Sequence, residues 1–65
     1  MKMSLKAARV NAGLSQAQAA EKIGVHQNTI CRWETGASVP SVRDVQAICS
    51  AYGVTYDQID FERTA

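Results

Sequence analysis

The chain has a single histidine, His26, and two cysteines, Cys31 and Cys49, with no CxxC spacing and no nearby cluster of histidines and acids. A zinc site draws on a close set of such ligands, so this composition excludes one. One disulfide is not expected in a chain that otherwise reads as cytosolic, and both cysteines read as ordinary thiols. No apolar run approaches the roughly 20 residues of a membrane-spanning helix. Met1-Lys2-Met3-Ser4 leads straight into a charged amphipathic segment, which is not the form of a signal peptide. The expected location is the cytoplasm. Nucleophile–base pairs, paired carboxylates and a phosphate-cradling glycine loop are all missing, so neither an enzyme nor a cofactor is expected. At 65 residues the chain has room for one small core and no second sensory or catalytic unit. A single domain over residues 1–65 is expected, with its core at about 4–60 and a short tail at 61–65.

What is present suits a compact fold. Apolar residues make up 46% of the chain and charged residues 20%, a balance that argues against wholesale disorder. Net charge is only +1, which by itself points neither toward nor away from a polyanion. Its distribution says more. Residues 1–43 hold six cations (Lys2, Lys6, Arg9, Lys22, Arg32, Arg43) against Glu21 and Glu34, a net of +4. Residues 44–65 hold Arg63 against Asp44, Asp57, Asp60 and Glu62, a net of −3. One half is thus fitted to face phosphate while the other faces water or a partner chain.

Every periodic segment suits a helix, and none keeps the alternation of a half-buried strand. Residues 4–12 place Leu5, Ala8 and Ala12 on one stripe, ended by Asn11-Ala12-Gly13. Ser15-Gln16-Ala17-Gln18 has the form of a capping box, in which serine and glutamine satisfy free amides at a helix start. A second helix then runs to about Ile23, where Gly24 suits the left-handed residue past a helix end. Val25 tucks inward and His26 stands near the start of a third helix, which runs to Glu34 and closes at Thr35-Gly36. After the loop Ala37-Ser38-Val39-Pro40, a second capping box, Ser41-Val42-Arg43-Asp44, opens a fourth helix with the stripe Val42, Val45, Ile48, Cys49 and Tyr52. Gly53 ends it, and Thr55-Tyr56-Asp57-Gln58 caps a short fifth helix carrying Ile59 and Phe61.

The third helix has an uncommon outer face. At about 100° per residue, with Gln27 at zero, Cys31 falls at about 40°, Asn28 at about 100° and Arg32 at about 140°. Thr29, Trp33 and Ile30 fall on the opposite side, which joins the core. Carboxamides pair bidentately with adenine in the DNA major groove, and a guanidinium pairs with guanine. Polar side chains also lie outside simply because a helix has an outside, and the face alone does not separate the two readings. The first helix has an anomaly of its own, because its apolar stripe runs through Arg9. A buried arginine needs an anionic partner, and Glu34, at the edge of the third helix's core face, is the nearest sensible one.

With these residues in view, the sequence resembles the Cro/phage-repressor type of helix-turn-helix family, also called the xenobiotic-response-element (XRE) family. The resemblance lies in G-L-S-Q-A-Q-A-A-E-K-I-G-V-H-Q-N-T-I-C-R-W-E-T-G from Gly13 to Gly36 and in V-P-S-V-R-D-V-Q-A-I-C-S-A-Y-G-V from Val39 to Val54. It covers roughly residues 5–60. Small Ala20, turn Gly24, apolar Val25 and Ile30, and the W-E-x-G ending all fall at the family's spacing. It implies an all-α, five-helix, lambda-repressor-like domain whose third helix enters the major groove. By position it implies base reading by Gln27, Asn28 and Arg32, with backbone or auxiliary contacts from Gln16, His26, Thr29, Thr35, Ser38 and Arg43. Arg9 and Glu34 match a family ion pair. Two positions depart from the pattern. Ala19 stands where a bulky aliphatic is usual, a volume that Trp33 is placed to fill, and His26 is a weaker cap than the usual Ser or Thr. His26 is left as cap, phosphate donor or bystander.

The resulting expectation is a sequence-specific binder of double-stranded DNA, acting near the nucleoid as a transcriptional repressor of phage or mobile-element type. Binding as a homodimer on a palindrome is expected, because a domain this small makes few phosphate contacts. Tyr52, Val54, Tyr56, Ile59 and Phe61 are candidates for the two-fold contact, with use in the core as the alternative. The competing class is an antitoxin that neutralises a partner protein and binds DNA secondarily to regulate its own operon. Small-molecule ligands and membranes are not expected partners.

Overall fold

Serines open three of the four helices. The computed structural model describes residues 2–61. In it Ser4 accepts from the Ala7 amide at 3.1 Å at the head of α1 (Leu5–Asn11). The capping box at α2 (Gln16–Ile23) closes in both directions: the Gln18 amide donates to Ser15 Oγ at 3.1 Å and the Ser15 amide to Gln18 Oε1 at 2.8 Å. Ser41 and Asp44 form the same reciprocal pair at α4 (Val42–Tyr52), at 3.2 Å each way. A serine cap is worth about 1 kcal/mol against alanine, so three of them fix where the helices begin. The remaining helix, α3 (Gln27–Thr35), starts on His26 without a side-chain cap bond.

The fifth helix is corrected to a single 3-10 turn, Tyr56–Gln58. Gln58 Oε1 does accept from the Thr55 amide at 2.8 Å, so the cap exists. The helix does not propagate because the backbone beyond it pairs elsewhere. Ile59 is extended and forms a parallel bridge with Met3, flanked by Met3 N to Gln58 O and Asp60 N to Met3 O, both at 2.8 Å. The two ends of the fold thus satisfy each other's amides, an alternative that a local pattern does not register. Among the described residues there is no named strand, and none of the helices is long and apolar enough to cross a membrane.

All four helices feed one core made of Leu5, Ala8, Ala19, Ala20, Ile30, Trp33, Ile48, Tyr52 and Ile59. Leu5, Ile30, Ile48 and Ile59 are fully buried, and burial of each such side chain contributes about 1.5–3 kcal/mol. Ala19 and Trp33 are both in this cluster, so the small residue of α2 faces a core that holds the chain's one tryptophan. Four stripe residues lie outside it, Val45 and Cys49 half-buried and Ala12 and Val42 exposed. Ala12 is exposed, because α1 stops at Asn11 and Gly13 turns the chain away at φ 76°. Val42 is 78% exposed, because it is the first residue of α4 and overhangs the end of the core. Of the C-terminal apolar residues, Tyr52 and Ile59 are core, Val54 and Phe61 are half-buried against it, and Tyr56 is exposed.

Candidate nucleic-acid interface

The position of α3 is set from both sides. At its start, α2 ends on Gly24 at φ 91° and ψ 35°, whose amide donates to Ala20 O at 2.8 Å. Side chains with a β-carbon rarely adopt that φ, so glycine is what lets the chain turn after α2. Three residues, Gly24 to His26, then separate α2 from α3. Along α3, Ile30 is 1% and Trp33 4% exposed, which presses that side of the helix into the core.

The opposite side of α3 is free. Gln27, Asn28 and Arg32 are exposed together, and Cys31 and Thr29 at the margins are half-buried. Neither α2 nor α3 has an acidic residue in its first turn, so the partial positive charge at each helix start is not neutralised locally. His26 is exposed and its ring makes no cap bond, which removes the capping role from the alternatives for this residue. Thr35 is exposed, with its hydroxyl donating to Arg32 O at 3.3 Å. Ser38 is half-buried in the following loop, and Arg43 is exposed in the first turn of α4.

The end of α3 is tied to α1. Arg9 is 8% and Glu34 9% exposed. Arg9 Nε donates to Glu34 Oε2 at 2.6 Å and Nη2 to Glu34 Oε1 at 3.3 Å, while Nη1 donates to Leu14 O at 2.8 Å. The two side chains are 25 residues apart in sequence. Sequence reasoning missed a third member. Gln16 Nε2 donates to Glu34 Oε1 at 3.1 Å, so the first side chain of α2 is held by the last turn of α3. Positions 18 apart on two helices follow no sequence periodicity, and only the packed helix pair reveals the contact. Tyr52 of α4 lies in the same field: burial, then the Glu34 carboxylate, pushes its phenol up to about 12, with the Arg9 charge opposing. Away from this network, burial pushes the Cys49 thiol up, which disfavours its reactive thiolate.

A short glycine-containing connection between two helices, with the second helix presenting a free polar face, is the form of a helix-turn-helix. The family model described as helix-turn-helix matches residues 5–59. The chain belongs to the XRE-type helix-turn-helix family. No curated protein matches it alongside that family. The α1–α2 and α2–α3 connections are four and three residues long, both within the motif's range, and it is α3 whose exposed face carries Gln27, Asn28 and Arg32. The matched span takes in α1 and α4 as well, the elements that carry Arg9 and Tyr52.

Proposed function

We propose that this helix-turn-helix protein reads a specific sequence in double-stranded DNA and regulates transcription, most simply by occluding a promoter as a repressor. The observation that carries the reading is the joint exposure of Gln27, Asn28 and Arg32 on a helix whose other face is locked into the core. A rigid helix with two carboxamides and a guanidinium on its outer face suits the donor and acceptor pattern of the major groove. Around it, Gln16, His26, Thr29, Thr35, Ser38 and Arg43 are the side chains to reach flanking phosphates or a thymine methyl.

The protein binds as a homodimer in this proposal. The body measures 27 × 23 × 20 Å, and half-sites on one face of DNA lie about 34 Å apart. Two copies placed that way touch or nearly touch, so a flank of each must face the other. The flank formed by Val39, Pro40, Val42, Val45, Tyr56 and Phe61 is the apolar one. It contains Val39, Val42 and Tyr56 at 76%, 78% and 65% exposure, and its loop begins directly after α3.

Selection of bound sequences from random duplex DNA tests the reading. A palindromic consensus is expected. Alanine at Gln27, Asn28 or Arg32 should cost about 1–3 kcal/mol in site-specific binding and alter the selected bases, with an unchanged melting temperature because all three side chains are exposed. Identical selection by the parent and all three variants would remove these residues from base reading.

A further inference from the structure

The outer face of α3 has one member unlike its neighbours. Cys31 stands four residues after Gln27 and three after Asn28, and Arg32 follows it directly. On the helix it falls at about 40°, between Gln27 at zero and Asn28 at about 100°, so all four side chains are surface neighbours. A small apolar side chain is thus set among two carboxamides and a guanidinium. Packing does not account for it. Cys31 is half-buried, yet it is neither in the core cluster nor among the apolar residues packed against that cluster. Its thiol is free and hydrogen-bonds no described residue. The other cysteine is placed differently, lining the apolar flank with Val42 and Val45.

The major groove offers such a side chain one match. Guanine, adenine and cytosine present only donors and acceptors there, whereas thymine adds a C5-methyl group to its O4 acceptor. A thiol is a weak donor and a weak acceptor. Set against a polar base edge, it displaces water without replacing the lost hydrogen bonds. Set against a methyl, it takes two apolar surfaces out of water together. A short side chain among longer ones also lets the helix come close to the bases that its neighbours reach.

We propose that Cys31 is a specificity-determining residue that reads the C5-methyl group of one thymine beside the bases addressed by Gln27 and Asn28. Resting on the DNA-binding reading above, it adds an apolar contact inside the polar face. Thymine is selected in two ways: its methyl is buried against the thiol, and the polar edge of another base at that place is left unpaired.

The test uses the full chain, its selected duplex, and copies of that duplex in which each thymine of one half-site is replaced in turn by deoxyuridine. The exchange removes the methyl and keeps the O4 acceptor. Gel-shift titration gives, for each protein, the ratio of its affinities for the two duplexes, and a change in the variant's own stability cancels from that ratio. At the thymine that Cys31 reads, the parent should lose about fourfold, the contribution of one buried methyl. Cys31→Ser keeps the size of the side chain and replaces the thiol with a hydroxyl, so it should bind both duplexes equally at that position. Thr29→Ser, on the opposite side of α3, should keep the parent ratio there. A selected half-site without thymine, a parent indifferent to every exchange, or a Cys31→Ser ratio equal to the parent's at every thymine overturns the assignment and leaves the DNA reading intact. Loss of the same ratio in Thr29→Ser overturns it as well, by giving the methyl to that residue. If the parent selects no duplex at all, the DNA reading falls and the assignment falls with it.

Discussion

Arg9 shows how a single residue can bind two arguments together. Its place on an apolar stripe marked it as buried and in need of an anion, and the structure places Glu34 against it at 2.6 Å. Replacing Arg9 with alanine leaves the Glu34 carboxylate buried and partnered only by Gln16. Loss of one member of a buried pair costs about 3–5 kcal/mol, so Arg9→Ala should lower the unfolding free energy by that order, read by denaturant titration. Arg9→Met combined with Glu34→Leu removes both charges, and most of the loss should return. A parent-like melt in Arg9→Ala would show that the pair does not hold α3 to α1. The partner was legible because burial of a charge makes a demand that few residues can meet. Gln16 was not legible in the same role, because an amide at a helix start makes no such demand and its position also suits a phosphate.

At the scale of elements, what was legible is what short-range chemistry decides. Ser15 with Gln18 and Ser41 with Asp44 are spaced for reciprocal capping, and both boxes form. The glycine after Ile23 needs a left-handed backbone, and Gly24 has it. The misreadings are those in which distant chain decides. Met3 pairing with Ile59 ends the last turn after Gln58, and nothing near residue 55 announces Met3. Val42 has the spacing of a core residue, yet the helix end projects past its neighbours. Gly24 offers a clean measure of the turn between α2 and α3. A β-carbon there meets nothing within 4 Å, so the cost of Gly24→Ala is confined to the backbone at φ +91°. A left-handed residue with a side chain costs about 1–2 kcal/mol, and the unfolding free energy should fall by that amount. Gly24→Ala with parent stability would mean that the turn relaxes to another conformation, which a changed base selection would then reveal.

At the scale of the whole molecule, the segregation of charge and apolar surface sets which flank can meet a second copy. The first 43 residues hold six cations and two carboxylates, and α3 is among them. The apolar flank begins in the loop after α3 and ends at the Tyr56–Phe61 stack, whose ring centroids are 5.3 Å apart. Neutral truncations isolate its role, since a lysine there would add attraction for phosphate and mask a lost contact. Val42→Ser with Tyr56→Ser removes two of the most exposed apolar side chains and leaves the core cluster intact, so the free protein should lose no more than the Tyr56–Phe61 stack, about 0.5–1.5 kcal/mol. Full burial of one valine side chain contributes about 1.5–3 kcal/mol, and a dimer contains each substitution twice. Affinity for the palindrome should therefore fall by about a hundredfold or more, with cooperativity lost, while affinity for an isolated half-site stays at the parent value. Gel-shift titrations on the two duplexes measure both quantities. Parent cooperativity in the double variant would place the two-fold contact on another flank, and an equal loss on the half-site would show that these side chains act on DNA rather than on a second copy.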